Sequence, residues 1–220
     1  MAEKQYADYA SLPRATLGLT TNVWYANDPR HLLFTLARYK FVAKMLAGKN
    51  HVLEIGCGDG FCTRLVQQTV EHVTAIDFDP AFIRDVVQRM SPDWPLDMFV
   101  RDILTGPCSP WEGGRFDAAY SLDVLEHIAP DDEPLFMRNV CASLVDGGVL
   151  IIGMPSTESQ AYASEGSKAG HINCHTGPEL AALMREYFEN VFSFSMNDEV
   201  VHTGYAPMAQ YLFAIGVGKR

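Results

Sequence analysis

The chain has 220 residues, of which 48% are hydrophobic, and its formal net charge is −10. A chain of this length and hydrophobic content can bury one sizeable core, and no Pro/Gly/Ser-rich or highly charged run marks a second domain. The acidic balance argues against a nucleic-acid partner, because Lys and Arg supply most of the affinity for a phosphate backbone. We therefore expect a single domain over residues 1–220, with a helical N-terminal arm over about residues 1–48.

The sequence has no segment that predicts export or membrane insertion. The start, Met1–Tyr6, lacks the apolar core of a signal peptide, and no apolar run approaches the length of a membrane span. The five cysteines include no C-x-x-C pair, and an odd count without an export signal favours free thiols. These features predict a cytoplasmic protein without a membrane partner.

The arm is predicted to contain a long helix. Asp28-Pro29 is a good helix start, apolar residues from Leu32 to Leu46 recur at helical spacing, and Gly48 is a typical stop. This helix is expected to precede the first strand of the fold.

A glycine-rich loop follows the first predicted strand. The stretch Val52–Gly60 runs from a buried-looking strand into a loop with glycine at every second position. Such glycines let the backbone approach a ligand closely, and the following helix presents its N-terminal N–H groups to that ligand. Phe61 occupies the third glycine position of the G-x-G-x-x-G dinucleotide fingerprint, which argues against an NAD-dependent oxidoreductase. The alternative is a flexible strand-to-helix turn without a ligand.

Further strands alternate with helices along the chain. The predicted elements after the glycine loop are the strand His72–Asp77, a helix from Pro80 to Met90, the strands Leu96–Val100 and Phe116–Ser121, a Gly147-Gly148 turn into the strand Val149–Ile152, a helix from the capping box Thr176/Glu179 to about Phe188, and the closing strands Val191–Ser195 and Gln210–Ile215. Asp77 lies about twenty positions after the glycines, where a nucleoside-binding unit carries the carboxylate for the ribose hydroxyls. The alternation predicts an α/β fold with a mainly parallel, doubly wound sheet.

The spacing Glu54-x-Gly56-x-Gly58-x-Gly60 resembles motif I of the class I S-adenosylmethionine-dependent methyltransferases. The resemblance implies a Rossmann-like sheet of seven mainly parallel strands with an antiparallel C-terminal hairpin. It implies S-adenosylmethionine as the cofactor, with Asp77 on the ribose, Phe78 on the adenine ring and Asp102 on the adenine amine. The residues implied at the cofactor are Glu54, Gly56, Gly58, Gly60, Asp77, Phe78, Asp102, Ile103 and Ser121. Taken singly, Asp77 is also typical of a strand-end turn and Asp102 of a helix cap.

An acidic-x-x-Glu-His pattern, from Asp123 to His127, follows the fourth predicted strand. It resembles a methyltransferase subgroup, including ubiquinone-pathway O-methyltransferases and small-RNA 3′-end 2′-O-methyltransferases, in which a related E-x-x-E-H and a distant histidine hold a divalent metal. The resemblance implies Asp123, Glu126, His127 and His171 as ligands of Mg²⁺ or Mn²⁺, with His175 as the second choice for the fourth ligand. Alternatively, Glu126 caps a turn, His127 is a structural histidine, and the other two histidines belong to a surface loop.

The resemblance implies methyl transfer to a small-molecule acceptor. The preferred acceptor is a hydroxyl of a sugar, a sugar nucleotide or a specialised metabolite, and the candidate catalytic residues are His127, His171 and His175. Sugar and catechol hydroxyls are poor nucleophiles at neutral pH, so a metal or a histidine base is expected to assist. The alternatives are a metal-independent N- or O-methyltransferase of another metabolite and a non-catalytic S-adenosylmethionine-binding subunit.

Two flanking segments are candidates for shaping the acceptor pocket. The arm aromatics Tyr6, Tyr9, Trp24 and Tyr25 either cover the cofactor entrance, as such arms do in related small-molecule methyltransferases, or pack against helices. The polar stretch Asn197–Tyr205 is too long for a tight hairpin turn; it lines the pocket, forms a solvated connection or contributes to a homodimer contact.

Overall fold

The computed structural model describes Tyr9, Leu12 and residues 14–220, so Met1–Tyr6 lie outside the described residues. The helices are α1 (Leu19–Asn27), α2 (Pro29–Met45), α3 (Thr63–Gln67), α4 (Pro80–Arg89), α5 (Glu133–Ser143), α6 (Glu165–Gly170) and α7 (Gly177–Tyr187). The strands are β1 (His51–Ile55), β2 (His72–Asp77), β3 (Asp97–Val100), β4 (Phe116–Leu122), β5 (Leu144–Pro155), β6 (Phe188–Asn197), β7 (Val200–His202) and β8 (Tyr211–Lys219). Short 3₁₀ turns cover Ile103–Thr105, Leu125–His127, Glu158–Tyr162 and Ala206–Met208.

The strands form one sheet in the order β3-β2-β1-β4-β5-β8-β6-β7. The first five strands of that order are parallel, and the register pairs Val52 of β1 with Val73 of β2 and with Ala118 of β4. The other three are antiparallel to their neighbours, with β8 between β5 and β6. The chain therefore has the Rossmann-like α/β fold of class I methyltransferases, as predicted, with eight strands in the described part instead of seven.

Each face of the sheet carries its own hydrophobic cluster, because side chains of one strand alternate between the faces. On one face, Tyr39, Val42 and Leu46 of α2 pack with Val52 and Ala75. The cluster on the other face contains Leu53 and Ile55 of β1, Phe136 and Met137 of α5, and Met184 of α7. This two-sided burial explains why β1 reads as an almost continuous apolar run.

The predicted helix boundaries are confirmed by their caps. Asp28 accepts a hydrogen bond from the Arg30 N–H at 3.3 Å at the start of α2. At α7, Thr176 and Glu179 form the reciprocal capping box, with Thr176 N–H donating to Glu179 Oε2 at 2.8 Å. These caps satisfy backbone N–H groups that have no partner within the helix.

Two segments differ from their predictions. Gly147-Gly148 lies inside β5, because the register with β4 shifts between Phe116 and Ala118 and Gly147 takes a φ of 76° in the resulting bulge. The polar stretch after Asn197 is a hairpin: Asp198 adopts a φ of 51°, and Val200–His202 then pairs with β6. The turn contains Asp-Glu instead of the usual Asn-Gly, so the sequence carries a weak hairpin signal there.

None of the described helices has the length and hydropathy needed to cross a bilayer. All five cysteines are free, as predicted. Burial raises the pKa of Cys141 and of Cys174 to about 11, so these thiols are protonated at neutral pH.

Candidate functional site

A cavity of about 640 Å³ opens at the carboxyl ends of the parallel strands. In a doubly wound sheet this edge is where ligands bind, because the loops after the strands diverge there. The residues that line this main cavity are Thr20, Trp24, Thr35, Tyr39, Ile55, Gly56, Cys57, Gly58, Asp59, Cys62, Ile76, Asp77, Phe78, Phe82, Arg101, Asp102, Ile103, Leu122, Asp123, Val124, His127 and Ile128.

The glycine loop forms the floor of the main cavity. Gly56 and Gly58 line it and take φ values of 75° and 53°, which favour glycine. Asp77 holds the loop in place, since its Oδ2 accepts a hydrogen bond from the Gly58 N–H at 2.9 Å. Gly60 also has a positive φ, of 63°, but it faces Val86 and Met98 and lies outside the cavity wall.

Glu54 lies behind the loop and does not line the main cavity. Its carboxylate is buried and accepts hydrogen bonds from the Tyr39 hydroxyl at 2.7 Å and the Thr63 hydroxyl at 2.6 Å. Burial raises the pKa of Glu54 to about 7. Ser121 is buried and likewise outside the cavity wall. Neither of these two predicted cofactor residues therefore lines the cavity.

The other predicted cofactor residues meet at one end of the main cavity. Asp77, Phe78, Asp102 and Ile103 all line it, and the Phe78 side chain is 74% exposed. Asp102 accepts a hydrogen bond from the Leu104 N–H at 2.8 Å and so also caps a turn. This end offers an exposed aromatic face and two carboxylates, which suits a nucleoside.

Helix α1 closes one side of the main cavity. Its contact with the glycine loop was not predicted from the sequence. Thr20 and Trp24 of α1 line the cavity together with Asp59. The Asp59 carboxylate accepts a hydrogen bond from the Thr20 hydroxyl at 2.8 Å. The one sequence feature that indicates this contact is an aspartate between two loop glycines.

The opposite end of the main cavity contains a partly buried ion pair. Asp123 has a φ of 57° and points to Arg38 of α2, whose Nη1 donates to both carboxylate oxygens, at 2.8 Å and 3.0 Å. The Arg38 guanidinium carbon lies 3.9 Å from the centroid of the Tyr211 ring. Burial alone would lower the pKa of Arg38, but the negative charge of Asp123 raises it. Arg38 is therefore a permanent cation beneath this end of the cavity.

Three of the four predicted metal ligands come together beside this ion pair. Glu126, His127 and His171 each bring one ligand atom, and these atoms lie within 4.8 Å of one another. We call these three residues the Glu-His-His cluster. Asp123 is not part of it, because the left-handed backbone at Asp123 and the charge of Arg38 hold its carboxylate elsewhere. The helical turn here includes only Leu125–His127, so Asp123 lies outside the turn that carries Glu126 and His127.

Hydrogen bonds fix the orientation of both imidazole rings of the cluster. The Nδ1 atom of His127 lies 2.8 Å from the Gly170 carbonyl oxygen, and that of His171 lies 2.9 Å from Gln160 Oε1. Both partners only accept, so each Nδ1 carries the proton and each Nε2 keeps its lone pair when the ring is neutral. Burial, reinforced by His127, lowers the pKa of His171, which favours that neutral form.

Glu126 is fully buried, and among the described residues neither of its carboxylate oxygens has a hydrogen-bond partner. Burial raises the pKa of Glu126 well above its ordinary value, and the negative charge of Asp123 adds to the shift. A buried carboxylate without a partner lowers the stability of the folded state unless a cation, a ligand or a water molecule binds to it.

His175 faces away from the main cavity. Its Nε2 lies 2.7 Å from Glu133 Oε2, and Asn173 donates to the same oxygen at 2.8 Å. Burial alone would raise the pKa of Glu133, but the hydrogen bonds from His175 and Asn173 lower it. His175 is thus the partner of a carboxylate on α5 and is not part of the Glu-His-His cluster.

Comparisons with known proteins find similarity to methyltransferases. Residues 52–148 match the family model described as a methyltransferase domain. The chain is similar to the ubiquinone biosynthesis O-methyltransferase of Xanthomonas campestris pv. campestris strain B100, with 30% identity over 149 residues, which are 66% of this chain and 61% of that protein. The chain thus spans about three fifths of the length of this relative.

Two solved structures share the fold. The N-methyltransferase NodS from Bradyrhizobium japonicum WM9, in complex with S-adenosyl-L-homocysteine, has a TM-score of 0.61 and 19% identity and covers 89% of this chain and 91% of its own. The methyltransferase domain of bacterial CtHen1 has a TM-score of 0.65 and 15% identity over 84% of this chain and 98% of its own. Residues 52–148 are therefore similar to a methyltransferase domain, and the chain shares the Rossmann-like fold of these two solved structures.

Proposed function

We propose that the protein transfers a methyl group from S-adenosylmethionine to a hydroxyl of a small molecule, with help from a divalent cation held by the Glu-His-His cluster. The observation that carries the proposal is the fully buried Glu126 carboxylate, unsatisfied within the described residues, beside two imidazoles that are each oriented through Nδ1. A cytoplasmic location is part of the proposal and fits the free cysteines.

The glycine-loop end of the main cavity is the proposed cofactor site. Asp77 and Phe78 would contact the ribose and the adenine, and Asp102 would accept from the adenine amine. The cavity volume of about 640 Å³ lies within the range of small-molecule sites. S-adenosyl-L-homocysteine is bound in the NodS structure that shares this fold, which supports the same cofactor here.

The Glu-His-His cluster suits a metal ion for three reasons. Carboxylate and imidazole ligands together suit Mg²⁺, Mn²⁺ or another available divalent ion. Metal-bound histidines usually donate their second N–H to a carbonyl or carboxylate, as His127 and His171 do to Gly170 and Gln160. A cation would also complete the unsatisfied carboxylate of Glu126. When bound, it would orient two acceptor oxygens and lower the pKa of the hydroxyl to be methylated.

The residues of the chain align the acceptor for displacement at the sulfonium methyl group. A bond forms between the acceptor oxygen and the methyl carbon while the carbon–sulfur bond breaks, and S-adenosylhomocysteine leaves. The acceptor proton passes to a base at the cavity surface, and the described candidate at this end is Asp123, since His127 would hold the cation through Nε2 and keeps its Nδ1 proton. Arg38 keeps Asp123 in a fixed position for this role.

The charges around the main cavity favour a neutral acceptor. Arg101 is the only Lys or Arg among the described residues that line it, and its guanidinium already donates to the carbonyl oxygens of Gly106 and Pro107. A diphosphate would find no unengaged cation there. Vicinal hydroxyls of a sugar or a catechol therefore fit better than a sugar nucleotide.

The proposal can be tested by a thermal-stability titration of chelator-stripped protein, saturated with S-adenosylhomocysteine, against Mn²⁺ and Mg²⁺. A metal that binds only the native state raises the melting temperature. We expect a saturable rise that is lost in His127→Ala and in His171→Ala. His175→Ala is the matched control, since its imidazole contacts Glu133 instead of the cluster, and it should keep the rise.

The outcome separates the proposal from its main alternative. If no metal raises the melting temperature while S-adenosylhomocysteine does, metal assistance is wrong. Histidine-assisted, metal-independent methylation then replaces it, and an amine becomes the first acceptor to test, because a deprotonated amine needs no base. If S-adenosylhomocysteine itself does not bind, the methyltransferase proposal is wrong.

A further inference from the structure

Helix α1 lacks a capping side chain of its own. Its N-cap residue is Gly18, and no side chain of the adjacent sequence accepts a hydrogen bond from its first turn. The N–H groups of the first turn of a helix need an acceptor, and an N-cap side chain normally bonds the second or third residue. Thr21 is the third residue of α1.

Asp59 supplies this missing cap from the glycine loop. Its Oδ2 accepts hydrogen bonds from the Thr21 N–H at 2.8 Å, from the Thr21 hydroxyl at 2.5 Å and from the Thr20 hydroxyl at 2.8 Å. Thr21 is fully buried and Asp59 nearly so. Burial alone would raise the pKa of Asp59, but the hydrogen bonds from Thr21 and Thr20 lower it. The carboxylate is therefore charged and also opposes the positive end of the helix dipole.

Asp59 also makes hydrogen bonds within the glycine loop and to α4. Its Oδ1 accepts from the Phe61 N–H at 3.1 Å, and its backbone carbonyl accepts from the Arg89 guanidinium of α4. Gly18 allows the close approach of arm and loop, because a Cβ there would collide with the Asp59 carboxyl and with Arg89. One side chain thus joins α1, the glycine loop and α4.

We propose that Asp59 is a positioning residue that folds α1 over the main cavity and so slows release of the cofactor. Thr20 and Trp24 are the α1 residues in the cavity wall, so the arm closes the cavity only while the cap is made. The inferred effect on cofactor release rests on the proposed function, because it requires that the protein binds the cofactor. The capping contact does not rest on the proposed function, since it is made within the chain.

The test uses the full chain and substitutes both partners of the contact, Thr21 on the helix side and Asp59 on the loop side. Thr21→Val removes one donor to Asp59 with little change in shape, and Thr21 does not line the cavity. Asp59→Ala removes the cap, whereas Asp59→Asn keeps a carbonyl oxygen that can accept from the Thr21 N–H. Asp28→Ala is the matched control, because Asp28 caps α2 in the same arm without contacting the glycine loop.

Two measurements keep the proposal and the proposed function distinguishable. Amide hydrogen exchange of Leu19–Asn27 without cofactor reports the cap alone: we expect exchange about fivefold faster in Asp59→Ala, less so in Thr21→Val, and unchanged in Asp28→Ala. Dissociation of S-adenosylhomocysteine reports retention, and we expect it to be faster in the same order, with substantial rescue in Asp59→Asn.

Unchanged exchange in Asp59→Ala would overturn the cap. Faster exchange with unchanged dissociation would overturn the role in retention, and a wild type that does not bind the product would overturn the proposed function while leaving the cap tested.

Discussion

Arg38 and Asp123 are separated by 85 positions in the sequence, and both carboxylate oxygens of Asp123 accept from Arg38 Nη1 at the end of the main cavity opposite Phe78. The Arg38 side chain is only 14% exposed, and Asp123 supplies the negative charge that balances its guanidinium. The contact also turns Asp123 away from the Glu-His-His cluster and leaves Glu126 as the cluster's one carboxylate.

Arg38→Met should leave the Asp123 carboxylate without its cation. Because an unsatisfied charged group in a partly buried position is costly, we expect the free energy of unfolding to fall by about 1–3 kcal/mol. The double variant Arg38→Met/Asp123→Asn should recover part of the loss. Urea denaturation of the four proteins in the cycle measures the coupling, and purely additive effects would contradict a direct interaction.

Glu54 should make stability depend on pH. Its folded-state pKa of about 7 lies above the ordinary value, so its contribution to stability is present below about pH 4.3 and is lost as the pH rises through about 7. We expect the wild type to lose about 3 kcal/mol relative to Glu54→Gln between about pH 4 and pH 8. Chemical denaturation across this range measures the difference. Parallel curves for the two proteins would show that Glu54 titrates normally.

Gly56→Ala should abolish binding of S-adenosylhomocysteine. The residue has a φ of 75°, and an added Cβ would collide with the Val124 side chain at the cavity wall. Gly48→Ala is the matched control, since Gly48 also has a positive φ, of 81°, but nothing surrounds its Cβ position. We expect Gly48→Ala to cost about 1 kcal/mol of stability without affecting binding. Calorimetric titration would contradict the steric argument if the two variants bound the product equally.

The Glu133–His175 contact should stabilise the loop after β5 without serving the reaction. Since hydrogen bonds from His175 and Asn173 lower the pKa of Glu133, the stabilisation is present at neutral pH and is lost as the pH falls below about 4.3. We expect Glu133→Gln to lower the melting temperature at neutral pH, and by less in acid. Binding of S-adenosylhomocysteine should stay unchanged. A loss of product affinity equal to that of Gly56→Ala would place this pair in the binding machinery instead.

Local spacing in the sequence was enough to predict every strand except β7, the caps at Asp28 and Thr176, and the cavity lining by Asp77 and Asp102. Asp77 and Gly58 are an example, because a strand end and the neighbouring loop are joined by the parallel register of β1 and β2. Contacts between distant segments were not accessible in this way. No periodicity links Asp59 to Thr21 or Arg38 to Asp123, and His175 could not be separated from His171 without knowing that Glu133 approaches it.

The position of β8 has a consequence for how the protein is made. Tyr211–Lys219 lies between β5 and β6, which the ribosome synthesises earlier. Until that segment emerges, β5 and β6 each have an edge with unpaired N–H and C=O groups and exposed apolar side chains. A nascent or truncated chain that stops before Tyr211 is therefore expected to aggregate or to engage chaperones, although it already contains every residue of the cofactor end and of the Glu-His-His cluster.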